Sequence, residues 1–287
     1  MEELSTPMIE HVEQAGHAQE GLDVGETILH HITDSHYFDF GPLGHVSLPE
    51  IHLFGIDLSI TKHVVMMWVV SILLILLFSM SFRKRKLVPT GFANMLEMVV
   101  VFIKEELIEP NLGSEAKRYL PYLLTTFFFI LGNNLIGLVP FSATATGNIS
   151  VTCALAMLAF FMIQYGGIRH YGFFRHWRNY IPSGMPVWLL PIMIPVEIMG
   201  MFIKPVALCI RLFANMTAGH VVILSLLCLI FVFNTIFGGA VAFSIAPLSV
   251  GFALFINLLE ILVALIQAYI FTLLTSIFMG LTIHAEH

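Results

Sequence analysis

Two apolar runs, 186–233 and 246–283, constrain this chain more than any other feature. They hold about 48 and about 38 residues, where roughly 20 suffice to cross the hydrocarbon of a bilayer. Each run is therefore either two crossings or one steeply tilted helix. The link 234–244, with Gly238 and Gly239, is the clear turn between them. One crossing each also returns the C-terminus to the side from which the pair started. The pattern predicts a long, tilted, antiparallel hairpin. Pro191, Pro195 and Pro205 are expected to bend its first helix or to start its parts, and the backbone groups they free need protein or water partners.

Composition agrees with a membrane protein. Hydrophobic residues make up 57% of the chain and charged ones 11%, with a mean hydropathy of +0.88. Soluble domains carry roughly 25% charged residues. The expected fold class is an all-α polytopic membrane protein with about five membrane-embedded helices and one surface helix. Residues 1–62 read as a polar N-terminal segment outside the membrane and 63–287 as the membrane domain. The net charge of −6 comes largely from that N-terminal segment, so it does not point to an acidic or basic partner. Residues 1–30 lack a basic region followed by an apolar one, so no signal peptide is expected. The histidines His11, His17, His30, His31, His36, His45 and His52 match no metal-ligand spacing and read as part of a solvated tail. Cys153, Cys209 and Cys228 lie in apolar segments without metal or redox spacing. They read as small core residues.

Charge sets the topology. The span 64–82 is followed by Arg83, Lys84, Arg85 and Lys86. Such a cluster is cytoplasmic by the positive-inside rule, which leaves the N-terminus outside. In 92–109 the apolar residues Phe92, Leu96, Val99, Ile103 and Leu107 recur at helical spacing, broken up by Glu97, Lys104, Glu105 and Glu106. That pattern predicts a helix lying on the cytoplasmic surface, with Pro110 as its stop; a soluble amphipathic helix packed on a partner is the competing reading. Spans at 119–141 and 151–168 follow, joined outside by 142–150. The loop after them carries Arg169, Arg175 and Arg178. Topology independently makes that loop cytoplasmic, and the hairpin then leaves the C-terminus cytoplasmic as well.

The polar residues inside the hairpin are few. Glu197, Lys204 and Arg211 are spaced by seven and share a face, which Asn215 continues one turn on. A guanidinium keeps its charge at any accessible pH, and placing one at mid-membrane costs about 2.5–3.5 kcal/mol on the insertion scale. Arg211 is therefore the first functional candidate. On the second helix Asn257, Glu260 and Gln267 form a stripe. Folding the hairpin about a centre near Ala240 brings His220 to the depth of Glu260. It also brings Arg211 level with Gln267 to Tyr269, and it leaves Glu197 nearer the cytoplasm. A His and a Glu at one depth can pass protons where water reaches them. Arg211 cannot relay a proton. No acidic residue comes level with it, so its counter-ion is expected on another chain. Structural readings compete: Lys204 snorkels to the interface, Asn215 and Gln267 bond helix to helix, His220 and Glu260 form a structural pair, and Asn133 and Asn134 serve packing. A self-contained ion-coupled transporter is the alternative function. It calls for paired repeats and a substrate pocket in one chain, and neither is evident.

Across about residues 60–287 the sequence resembles subunit a of the F-type ATP synthase. The most specific match is Lys204-Pro205 followed by Arg211-Leu212-Phe213-Ala214-Asn215 and His220, together with Leu259-Glu260-Ile261 and Ile266-Gln267-Ala268-Tyr269-Ile270-Phe271. Asn133-Asn134-Leu135-Ile136-Gly137 and Gly147-Asn148-Ile149-Ser150-Val151-Thr152 support it. The resemblance implies a non-catalytic stator beside a ring of c subunits, each with a membrane carboxylate, and two half-channels reaching the ring from opposite sides. Arg211 matches the family's essential arginine, so the expected counter-ion becomes the ring carboxylate. Asn215 and Gln267 match its polar neighbours. His220 and Glu260 match the outer half-channel, where some bacterial members carry the two residues exchanged. Glu197 matches an acidic position on the cytoplasmic path. Where many bacterial members carry an acidic residue at the end of the second membrane helix, this chain has Asn133, Asn134 and Gly137. The implied partners are the c-ring, a b-subunit peripheral stalk and the lipid of a bacterial inner membrane. No cofactor, metal, nucleotide or nucleic acid is implied. The choice between proton and sodium rests with the ring.

Overall fold

The computed structural model describes residues 37–39, 45–47, 52–53, 56–57, 59–83, 91–139, 144–178 and 187–284. His11, His17, His30, His31 and His36, and the basic residues Lys84, Arg85 and Lys86, lie outside them. Among the described residues five helical stretches are long and apolar enough to cross a membrane: Lys62–Ser81, Phe92–Gly137, Ile149–Tyr171, Pro191–Phe237 and Gly239–Ile283. The fold is that of an all-α polytopic membrane protein with a long C-terminal hairpin.

The N-terminal segment differs from the plain tail expected of it. Strand β1 (Tyr37–Asp39) pairs antiparallel with β2 (His45–Ser47), and β3 (His52–Leu53) with β4 (Ile56–Asp57). These are two short ribbons, too small for hydrophobic alternation to reveal them.

Helix α1 (Lys62–Ser81) is the first span. The amphipathic run begins as α2 (Phe92–Phe102), passes into a π-helical turn (Ile103–Ile108) and continues as α3 (Glu109–Leu112). Pro110 does not stop it. It sits in the first turn of α3, where its missing N–H has no partner to lose. The chain bends instead at Gly113, whose φ of 52° favours glycine, and enters α4 (Ala116–Gly137). Helix α5 (Ile149–Tyr171) opens with Asn148 as its cap, accepting a hydrogen bond from the Ser150 N–H at 2.9 Å. A short α6 (Phe173–Arg178) folds back on α5. There the buried His176 donates from Nε2 to Gln164 Oε1 at 2.8 Å, and burial pushes its imidazole below the usual histidine range.

Helices α7 (Leu190–Phe237) and α8 (Gly239–Ile283) form the hairpin. Helix α7 runs through Pro195 and Pro205 and α8 through Pro247. The expected link 234–244 is almost entirely helical, because its residues are mostly apolar and compatible with helix. Gly238, with φ of 82°, makes the turn by itself. At about 1.5 Å per residue each helix is more than twice as long as the roughly 30 Å hydrocarbon layer. Neither can cross upright within it.

The described chain forms two compact units. One comprises Asp34–Thr217 with Glu260–His287, and its core joins Leu107, Ile108 and Leu112 to Leu123 and Phe127 of α4, Leu208 and Leu212 of α7, and Phe271 and Met279 of α8. Lipid is as apolar as leucine, so close packing and hydrogen bonds must hold such a unit together. Helix α8 is built accordingly. It buries Ala264, Gln267, Ala268, Thr272, Thr275 and Ser276 and exposes Ile261, Leu262, Leu265 and Ile266. Its packed face is the less hydrophobic one.

The amphipathic run docks on that face. The π turn offers the Leu107 carbonyl, which accepts from Ser276 Oγ at 2.7 Å and from Asn111 Nδ2 at 2.6 Å. Asn111 Nδ2 also donates to Ser276 Oγ at 2.9 Å. The Asn111 backbone carbonyl lies so close to Gly280 that a Cβ there would overlap it. Gly280→Ala should therefore push 103–112 off α8 and cost about 1–3 kcal/mol through overpacking. Hydrogen exchange over 103–112 should rise in the variant; unchanged protection would show that the backbones are not in contact.

The other unit contains, among the described residues, Ala218–Leu259. It holds the end of α7, the turn at Gly238 and the start of α8. Ser249 donates its hydroxyl to the Leu226 carbonyl across the turn, and Phe231, Phe237, Phe243 and Leu248 are exposed.

Candidate functional site

Helix α7 presents two faces around Arg211. Leu208, Leu212 and Met216 are buried. Ile203, Val206, Ala207, Ile210 and Ala214 are exposed. At 100° per residue Arg211 falls on the line of Ala207 and Ala214. Its side chain is half-buried, at the margin of the exposed apolar face. Among the described residues no carboxylate pairs with it. The Lys104–Glu109 contact at 3.4 Å and the Arg118–Glu115 pair at 2.9 Å lie elsewhere, on exposed parts of the chain.

Two cross-helix contacts fix the backbone on either side. Asn215 Nδ2 donates to Gln267 Oε1 at 2.8 Å. Lys204 Nζ stands over the Phe278 ring, 4.9 Å from its centre, a cation–π contact. Lys204 and Asn215 are eleven residues apart on α7, and Phe278 and Gln267 eleven apart on α8. Eleven residues are about three turns, so both contacts fall on one seam without slippage. Arg211 therefore comes level with the fully buried Phe271. The expectation put Arg211 level with Gln267 to Tyr269; Asn215 is the residue that meets Gln267, and Arg211 lies two residues beyond Tyr269. The seam is centred near residue 241 although the chain turns at Gly238, so the pairing is not symmetric about the turn.

A second set of polar groups holds α8 from the opposite direction. Asn134 is fully buried. It accepts from Thr146 Oγ1 at 2.6 Å and donates to the Ala264 carbonyl at 3.4 Å. Ala264 lies between Glu260 and Gln267 on the same stripe. Asn134 thus has the packing role weighed for it. Asn133 donates to the Phe129 carbonyl at 2.8 Å, while its buried Oδ1 has no hydrogen-bond partner among the described residues. The Thr152 hydroxyl meets Cys209 Sγ at 3.4 Å, which ties α5 to α7 two residues before Arg211. Cys209 and Cys228 are buried, as expected of core cysteines, but Cys153 is exposed.

The remaining candidates are distributed as follows. Glu260 is 4% exposed and Gln267 2% exposed, both on the packed stripe of α8. Glu197 is half-buried near the start of α7, and among the described residues no cation pairs with it. His220 is half-buried on the part of α7 that belongs to the hairpin-tip unit, whereas Glu260 belongs to the larger unit. Sequence reasoning missed Thr146, Asn111 and Ser276. Hydroxyls and amides buried at helix crossings carry no periodic signal of their own. Thr152 stood out only through the resemblance, whereas Asn133 and Asn134 already read as packing residues.

Chemically, Arg211 is a fixed positive charge, half-buried at the margin of an exposed apolar face. The profile of the family "ATP synthase A chain" matches residues 64–280. The "ATP synthase subunit a" of Chloroherpeton thalassium is 50% identical over 280 residues, covering 94% of this chain and 80% of that one. "ATP synthase subunit a 2" of Chlorobium luteolum is 48% identical over 277 residues, covering 94% and 79%. "ATP synthase subunit a" of Anaeromyxobacter dehalogenans is 46% identical over 291 residues, covering 94% and 74%. With a profile that spans the membrane domain and relatives near half identical over almost the whole length, the chain belongs to the ATP synthase A chain family.

Proposed function

We propose that this chain is the membrane stator of an F-type ATP synthase, and that Arg211 meets, one after another, the carboxylates of a rotating ring of c subunits. The observation that carries the reading is the half-buried Arg211, held between two cross-helix contacts and without a carboxylate partner among the described residues. An arginine with a partner in its own chain would be a structural ion pair. One aimed outward across an apolar face is half of an interface.

The mechanism follows from charge. A ring carboxylate is neutral while it faces lipid, because lipid disfavours its ionised form. Beside Arg211 the ionised form is stabilised and the proton is released. The guanidinium does not deprotonate, so it blocks direct passage between the two sides. Protons enter or leave on opposite sides of that block. His220 and Glu260 serve the outer half-channel and Glu197 the cytoplasmic one, while Asn215 and Gln267 orient the groups beside Arg211. The chain itself binds no nucleotide. It works in a bacterial inner membrane with its N-terminus outside and its C-terminus in the cytoplasm, beside a b-subunit peripheral stalk.

Purification in mild detergent tests this. The chain should co-purify with a c-ring and with subunits of a nucleotide-binding sector. Isolation as a lone chain able to move a solute would favour the transporter instead.

A further inference from the structure

At the end of the bundle where α4 begins and α5 and α8 end lies an open cavity of about 480 Å³. Ligand pockets typically measure about 300–1,000 Å³, so a headgroup-sized molecule fits. The lining is polar: Arg118, Arg169 and His170, with Glu115 as the acidic member. Arg118 neutralises Glu115 through their 2.9 Å pair. Arg169 is left as a positive charge. Its Nη1 donates only to the Tyr165 hydroxyl at 3.2 Å, and no carboxylate among the described residues pairs with it.

A second observation points into the same space. Tyr119 is 2% exposed, and its hydroxyl lines the cavity. No hydrogen bond joins that hydroxyl to another described residue, and it stays accessible from the cavity. Gly166 keeps the floor low: a Cβ there would come within 3.4 Å of the Tyr119 hydroxyl and 3.3 Å of Ile283. The tyrosine hydroxyl, one spare guanidinium and a second guanidinium line one opening at the ends of α5 and α8.

We propose that this cavity binds a phosphate group, with the Tyr119 hydroxyl and the Arg169 and Arg118 guanidiniums as donors. Guanidinium forks suit phosphate oxygens, and basic pockets between membrane helices hold anionic headgroups. The phosphate can arrive on a phospholipid or as the free anion. The site lies apart from Arg211 and does not depend on the stator mechanism.

Native mass spectrometry of the full chain in mild detergent tests the proposal. The probes are a phosphatidylglycerol, a diacylglycerol with the same acyl chains, and inorganic phosphate. The wild type should retain the phosphatidylglycerol and not the diacylglycerol. Arg169→Gln should weaken retention about tenfold and Tyr119→Phe about fivefold, as expected for losing a charged and a neutral donor. Tyr119→Phe keeps the ring that packs in the core, so unchanged helical circular dichroism will separate lost binding from lost fold. Displacement of the lipid by millimolar phosphate would assign the site to the free anion. Resistance to it would assign the site to the lipid. Equal retention of diacylglycerol, or phosphatidylglycerol held equally well by wild type and both variants, would overturn the proposal.

Discussion

Arg211→Ala should abolish ATP-driven proton pumping while the complex still assembles. The two halves of that result have separate causes. Arg211 has no carboxylate partner among the described residues, so its removal strands no buried charge in this chain. The seam beside it is held by Asn215–Gln267 and Lys204–Phe278, neither of which uses the guanidinium. Losing the charge also removes an insertion cost of about 2.5–3.5 kcal/mol. Stability should therefore change little. Pumping fails because nothing ionises the arriving ring carboxylate and nothing separates the two half-channels. Dye quenching in inverted vesicles, read beside subunit composition, measures both. Coupled pumping at the wild-type rate in an assembled variant would end the stator reading. Arg211→Lys should fall between the two, since an ammonium can lose its proton where a guanidinium cannot.

The exchange His220→Glu with Glu260→His should retain more proton flux than either His220→Ala or Glu260→Ala. The outer half-channel as proposed needs one basic and one acidic group at one depth, and the exchange keeps both. Glu260 sits on the packed stripe of α8 at 4% exposure. Replacing it by alanine also leaves a small void, so assembly should be checked alongside flux. Equal loss in all three variants would mean that the two residues do not act as a pair.

Much of this was legible in the sequence because membrane helices obey coarse rules. Length and apolarity alone gave a polytopic helical membrane fold with a long C-terminal hairpin. The level of Arg211 along the hairpin followed from counting and was off by about two residues, because the pairing is not symmetric about the turn. The hairpin closes on Gly238 alone, and no composition cue separated that glycine from Gly239. Pro110 misled for a related reason: proline ends a helix from within but begins one without penalty. Packing was the least legible part. In α8 the buried face carries Ala, Thr, Ser and Gln, so the usual equation of hydrophobic with buried inverts. Asn134, Thr146, Asn111 and Ser276 meet across distant parts of the chain, and each alone looks like an ordinary polar residue. The short ribbons at 37–57 lie below the length at which alternation can be read.

The most direct measurement is a disulfide cross-link from the face that Arg211 borders. Ala207→Cys and Ala214→Cys would be made with Cys153, Cys209 and Cys228 replaced by serine, each combined with a cysteine beside the c-subunit carboxylate. Leu158→Cys, on the exposed face of α5, is the control. Under mild oxidation of the assembled complex, positions 207 and 214 should link to the c subunit and position 158 should not. Linkage at 158 with none at 207 or 214 would show that Arg211 faces something other than the ring.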